Sequence, residues 1–143
     1  MGFSGEYNNS IDAKGRVVIP AKFREMLRDG FVITKGLDHC AFILPKARFD
    51  AMDEKLSGAS FTDMAARGMQ RFFIGSKIDG EFDAQGRIVL SQSLREHAML
   101  QKEVVTVGVG DRIEIWDKQT YNAYMNATSE SEDFINGIQQ FEL

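Results

Sequence analysis

The stretch IDAKGRVVIPAKFRE at residues 11–25 returns as FDAQGRIVLSQSLRE at residues 82–96. At a constant offset of 71, Asp12 pairs with Asp83, Ala13 with Ala84, Gly15 with Gly86 and Arg16 with Arg87. Arg24 and Glu25 pair with Arg95 and Glu96, and the apolar residues 17–19 match 88–90. One inserted residue moves the offset to 72. Val32, Ile33 and Thr34 then match Val104, Val105 and Thr106, Gly36 matches Gly108, Ile43 matches Ile115 and Phe49 matches Tyr121. Two near-copies of about 45 residues cover most of the chain, and chance is a poor explanation for them.

Each copy predicts the same order of elements. Apolar residues bracket Asp-Ala-Lys/Gln-Gly-Arg, which reads as a hairpin with a three-residue loop whose left-handed position falls to Gly15 or Gly86. The strand that follows meets a helix-start signal, Pro20 in the first copy and Ser91 in the second. In the short helices Phe23, Leu27 and Leu94 face inward. A second strand pair follows, Phe31–Lys35 with Ala41–Leu44 and Val104–Val109 with Arg112–Trp116, the latter joined at Gly110 and Asp111. A helix closes each copy: Lys46–Leu56 with Phe49, Met52 and Leu56, and Lys118–Asn126 with Tyr121 and Met125. Between the copies, a helical stretch from Asp63 to Ile74 carries Met64, Ala65, Met69, Phe72 and Phe73 as a stripe that reads as core or subunit interface. The end of the chain, with Phe134, Ile135, Ile138 and Phe141, reads as a frayed amphipathic helix or an arm that docks on a neighbour. With about 45 residues apiece, the copies are expected to share one core.

The 143 residues, 43% hydrophobic and 27% charged, suit a compact soluble domain. The start MGFSGEYNNS has no basic region before an apolar stretch, and no apolar run approaches the roughly 18 residues of a membrane span, so a cytoplasmic location is expected. Cys40 is the only cysteine, which excludes an internal disulfide framework. The net charge of −4 argues at first sight against a nucleic-acid partner. The charge is uneven, however. Residues 1–50 hold eight Lys and Arg against six Asp and Glu, whereas residues 81–143 hold five against eleven. A local basic surface still attracts phosphate when the Debye length is only about 8–10 Å.

Asp12 and Arg16 flank the turn, as do Asp83 and Arg87, and the plainest role for each pair is a cross-strand ion pair that fixes the turn. A guanidinium has five donors, so one edge can engage Asp while another faces outward. On a two-stranded ribbon, Arg16 and Arg87 suit a major groove, where arginine contacts guanine O6 and N7 bidentately. Lys14 at the loop tip suits a phosphate, and its counterpart Gln85 can bond a phosphate or a base edge without charge.

The paired IDAKGRVVIP and FDAQGRIVLS, each with Asp-x-x-x-Arg spacing, resemble the MraZ proteins. The doubled module resembles the AbrB/SpoVT class, and the resemblance runs through GVGDRIEIWDK at residues 108–118 and the helix beyond. It implies an α+β fold of duplicated swapped-hairpin β-barrel modules with short helices, pseudo-two-fold within one chain. Repeat one would span 5–50 and repeat two 76–121, with a helical linker at 57–75 and an acidic, amphipathic segment at 127–143. The implied function is a nucleoid-associated transcription regulator of the bacterial division and cell-wall gene cluster. Such proteins bind short G-rich direct repeats in double-stranded DNA of their own promoter region and form rings of several subunits. The family's DNA-contacting arginines fall here on Arg16 and Arg87. Gln85 and Ser91 depart from the first copy, so the two copies are expected to contribute unequally to DNA contact.

Two other readings compete. An enzyme finds little support: His39 and His97 are not equivalent in the repeat and lack a Cys or second His at ligand spacing. Cys40 could be a nucleophile, but neighbouring His39 is too close in sequence to settle that. No Gly-rich phosphate loop, HExxH or GxSxG occurs, and neither a cofactor nor a metal is expected. A protein-binding, antitoxin-like module is the second competitor, since folds of this class serve that use and the acidic tail suits a basic partner.

Overall fold

The runs FVITK and AFILP lack polar alternation, as strands covered on both faces require. A computed structural model describes residues 2–143. Its strands are β1 (Phe3–Ser10), β2 (Arg16–Val18), β3 (Phe31–Lys35), β4 (Ala41–Pro45), β5 (Ile78–Asp79), β6 (Arg87–Val89), β7 (Glu103–Gly110) and β8 (Ile113–Asp117). The helices are α1 (Ala21–Met26), α2 (Lys46–Ser57), α3 (Met64–Met69), α4 (Gln92–His97), α5 (Lys118–Glu130) and α6 (Glu132–Gln140). A π-helical turn, Gln70–Ile74, continues α3.

An antiparallel six-stranded sheet runs β1-β7-β8-β4-β3-β5, and β2 pairs with β6 in a separate two-stranded ribbon. The order reads alike from either end once copies are exchanged. β1 of the first copy pairs with β7 of the second, and β5 of the second pairs with β3 of the first. β4 meets its counterpart β8 at the centre. The expected hairpin therefore needs correction. The turn closes through Asp12 N–H to Arg16 O (3.1 Å) and Gly15 N–H to Asp12 O (3.0 Å). Beyond it, however, neither flanking strand continues with the other. The two copies carry the same apolar pattern, so pairing between copies satisfies the backbone as well as pairing within one, and it draws side chains of both copies into one core.

One face of the sheet packs on the ribbon, α1 and α4. That cluster holds Val17, Ile19 and Phe23 of the first copy with Ile88, Leu90 and Leu94 of the second, all fully buried. The other face packs Val32, Phe42 and Phe49 together with Val105, Trp116 and Tyr121. Each copy also reaches across near its start. Tyr121 donates to Glu6 Oε1 at 2.5 Å, while the offset-71 counterpart of Glu6, Lys77, lies over the Phe49 ring at 5.3 Å. Burial, seconded by Glu6, pushes the Tyr121 hydroxyl up to about 12.

The linker stripe divides: Phe73 packs against the second cluster, while Met64 and Met69 stay outside the core. Met64 is 77% and Met69 43% exposed, and Ala66 faces the body instead. Asp63 caps α3, accepting from Ala66 N–H at 3.0 Å and satisfying a donor of its first turn. At the end of the chain, α6 is an ordered helix. Ser131 accepts from Phe134 N–H at 3.1 Å, and Glu132 and Asp133 lie in the first turn, where the helix dipole favours acids. Phe134, Ile135, Ile138 and Phe141 of this segment remain exposed.

Candidate functional site

Side chains alternate across a strand, so the three-residue strands of the ribbon each have an inside and an outside. Val17 and Ile88 are directly paired and fully buried, and they form the floor. Arg16 lies opposite Val89 and Val18 opposite Arg87, so these four project from the outer face. Burying a side chain such as Val17 or Ile88 is worth about 1.5–3 kcal/mol. A one-residue slip would turn both arginines into the core, so the floor sets the face. Arg16 and Arg87 are diagonal neighbours on it, about 7–8 Å apart at Cα.

Both turns are built alike. Gly15 and Gly86 have φ of +80° and +75°, the left-handed region open to glycine without strain. Asp12 Oδ1 accepts from the N–H groups of Lys14 (3.0 Å) and Arg16 (2.9 Å), and Asp83 Oδ1 from those of Gln85 and Arg87 (2.9 Å each). The second oxygen of each carboxylate takes the arginine Nε, at 2.6 Å in the first copy and 2.7 Å in the second. The backbone N–H of Arg16 is the leading cause that holds the Asp12 carboxyl below its usual range, and that of Arg87 does so for Asp83. The ion pairs run through Nε, so the Nη edge of each guanidinium is left without a hydrogen-bond partner among the described residues. Lys14 and Gln85 are exposed at the two tips.

The turns of one copy are pinned by the strand of the other. Leu90 N–H donates to Gly15 O at 2.8 Å and Ile19 N–H to Gly86 O at 3.0 Å. The structure thus brings Lys14, Arg16, Gln85 and Arg87 to one ribbon and its two tips. Sequence reasoning missed Val18 and Val89 on the same face. Register against β6 was the signal needed, and it belongs to the pairing between copies.

His39 and His97, remote in sequence, have ring centroids 6.2 Å apart. His97 Nε2 lies 2.9 Å from the Gly36 carbonyl, which only accepts, so that nitrogen carries the proton. Among the described residues no group of three or more His, Cys, Asp or Glu could hold a metal ion. Burial pushes the Cys40 thiol up strongly, and its Sγ donates to Leu37 O at 3.0 Å. A thiol so placed yields little nucleophilic thiolate. No helix among the described residues is long and apolar enough to cross a membrane.

Fold and site together define a duplicated α+β body whose two copies exchange strands and present paired turn arginines on one ribbon. The family model described as "MraZ protein, putative antitoxin-like" matches residues 2–72 and 75–140. Among similar curated proteins, the Transcriptional regulator MraZ of Carboxydothermus hydrogenoformans is 49% identical over 124 residues, 87% of each chain. That of Moorella thermoacetica is 49% identical over 90% of each chain, and that of Heliobacterium modesticaldum 44% over 99% of each. The chain belongs to the MraZ family.

Proposed function

We propose that the chain is a sequence-specific regulator of transcription that lays the β2–β6 ribbon in the major groove of double-stranded DNA. The observation that carries the reading is the placement of Arg16 and Arg87 as diagonal neighbours on one outward face, each with a free Nη edge. Strands about 4.7–4.9 Å apart fit a groove about 12 Å wide. A separation of about 7–8 Å between the arginines matches two steps of about 3.4 Å along the duplex. Two guanines that close together are what a short G-rich repeat supplies, and a bidentate contact to each is worth about 1–3 kcal/mol. Val18 and Val89 beside them offer apolar contact to thymine methyls. Lys14 takes a phosphate, and Gln85 a phosphate or a base edge. Asp12, Gly15, Asp83 and Gly86 hold the turns.

The relatives titled transcriptional regulators support this function. The reciprocal pairing of β1 with β7 and β5 with β3 supports a duplicated swapped-hairpin, AbrB-like body, with repeats at about 5–50 and 76–121. We further propose that the sites are direct repeats in its own promoter region, at the head of the division and cell-wall gene cluster. The apolar face of α6 suits assembly into a ring, in which rotation presents the ribbon to successive repeats. That same exposed face, with the acidic tail and the family model's description, favours the second reading, an antitoxin-like module that holds another polypeptide. A mobility shift on G-rich promoter DNA separates the two. Wild type should bind with marked salt dependence, and folded Arg16→Ala should lose specific binding. An Arg16→Ala variant that binds with wild-type affinity and specificity would make the turn arginine structural.

A further inference from the structure

We propose that Arg24 and Arg95 are positioning residues, each on the helix of one copy and each holding the reading turn of the other. The inference rests on the DNA-reading role proposed for the turns. Arg24 in α1 and Arg95 in α4 are equivalent at the offset of 71. Their guanidinium groups cross over. A Cβ placed on Gly86 would lie 2.5 Å from Arg24 Nη1 and 2.6 Å from its Cζ. One placed on Gly15 would lie 3.0 Å from Arg95 Nε and 3.2 Å from its Cζ. Each planar group therefore lies directly against the left-handed glycine of the opposite turn, in space that only glycine leaves open.

The contact is tied into the ribbon. Ile19 donates its N–H to Gly86 O at 3.0 Å, and its carbonyl accepts from Arg24 Nη1. Arg24, Ile19 and Gly86 thus form a closed link from the first helix to the second turn. In the other half, Leu90 N–H holds Gly15 O at 2.8 Å, and Arg95 lies over the same glycine. Arg95 Nε is buried there without a hydrogen-bond partner among the described residues. A long charged side chain at a helix surface is normally free to turn toward water. An arginine held under the turn with an unpartnered donor calls for a local reason, and packing under Gly15 supplies it. Asp12 and Ala13 also line one surface dish together with Gln92, Arg95 and Glu96, so the first turn and the second helix share a wall.

Amide hydrogen exchange on the DNA-free protein reads this directly. Arg95→Ala should speed exchange at the Gly15 and Leu90 amides at least about fivefold and leave Gly86 within about twofold. Arg24→Ala should do the reverse, at Gly86 and Ile19. Should an alanine variant fail to fold, Arg24→Gln and Arg95→Gln carry the same comparison. On G-rich DNA, Arg95→Ala should add little to Arg16→Ala, because both disable the first turn, but should multiply the loss of Arg87→Ala. Equal acceleration of both turns, acceleration in the turn of the same copy, or no change would overturn the proposal. So would a lowered salt slope with unchanged exchange, the signature of direct phosphate contact. The exchange arm uses no DNA. Crossed exchange in a protein that binds no DNA would refute the reading role alone, and DNA binding with uncrossed exchange would refute the coupling alone.

Discussion

Ile88 lies at the centre of the ribbon, 0% exposed and paired directly with Val17, in a cluster drawn from both copies. Ile88→Ala removes three carbons from a site walled by a sheet and two helices that cannot easily collapse. Such truncations cost about 2–5 kcal/mol, and Ile88→Val should cost about 0.5–1.5 kcal/mol. Against a total of about 5–15 kcal/mol for an ordinary domain, the larger change is a substantial fraction. With a urea m value of about 2 kcal/mol per molar, the midpoint should fall by roughly 1–2.5 M. Trp116, the only tryptophan, belongs to the cluster on the opposite face of the sheet. Its fluorescence and the far-ultraviolet circular dichroism should shift together, at a fixed protein concentration. Val89→Ala is the control: it is 55% exposed on the outer face and should stay within about 0.5 kcal/mol. A Trp116 midpoint that stays put while the dichroism moves would refute the shared core. An Ile88→Ala cost no larger than that of Val89→Ala would refute the assignment of faces that aims the arginines outward.

The tips and the turn carboxylates give two more expectations. Lys14→Ala should weaken binding on all DNA sequences alike and reduce the salt slope by about one counterion per engaged subunit, measured by titration at several salt concentrations; a changed sequence preference would contradict a phosphate role. Asp12 and Asp83 have folded values lowered from 3.8, so their stabilising effect is present above the ordinary carboxylate range and is lost as pH falls through the lowered values. Carboxyl carbon resonances should titrate below 3.8, and Arg16→Ala should return Asp12 only part of the way, because the leading cause is the backbone N–H at position 16. Full recovery would make the guanidinium the main cause.

What could be read from the sequence was local. The turn chemistry of Asp12–Arg16, the cap at Ser91 and the apolar strands β3, β4 and β8 depend on neighbours within a few residues, and single-chain patterns record those. Choice of partner was not legible. β1 fits β7 by the same alternation that would let it fit a strand of its own copy, so the repeat concealed the exchange. The stripe of Met64 and Met69 kept its helical spacing, but spacing does not say which neighbour covers it, and within one chain both stay exposed while Ala66 packs inward. The equivalence of Arg24 and Arg95 was visible at the offset of 71. Their reach into the opposite copy follows only once the strands are paired across copies.

If Arg16 and Arg87 read guanine from the major groove, binding to G-rich repeats must depend on guanine N7, and repeats with 7-deazaguanine in place of guanine measure that dependence. Losing N7 removes one acceptor of each bidentate contact and leaves the minor-groove edge and the phosphates unchanged. Substitution at two nearby guanines in each repeat should weaken wild type at least about fivefold per site, and the residual DNA binding of folded Arg16→Ala should be insensitive at both. Equal affinity for substituted and natural repeats, or equal sensitivity in wild type and Arg16→Ala at both guanines, would contradict guanine reading by these arginines.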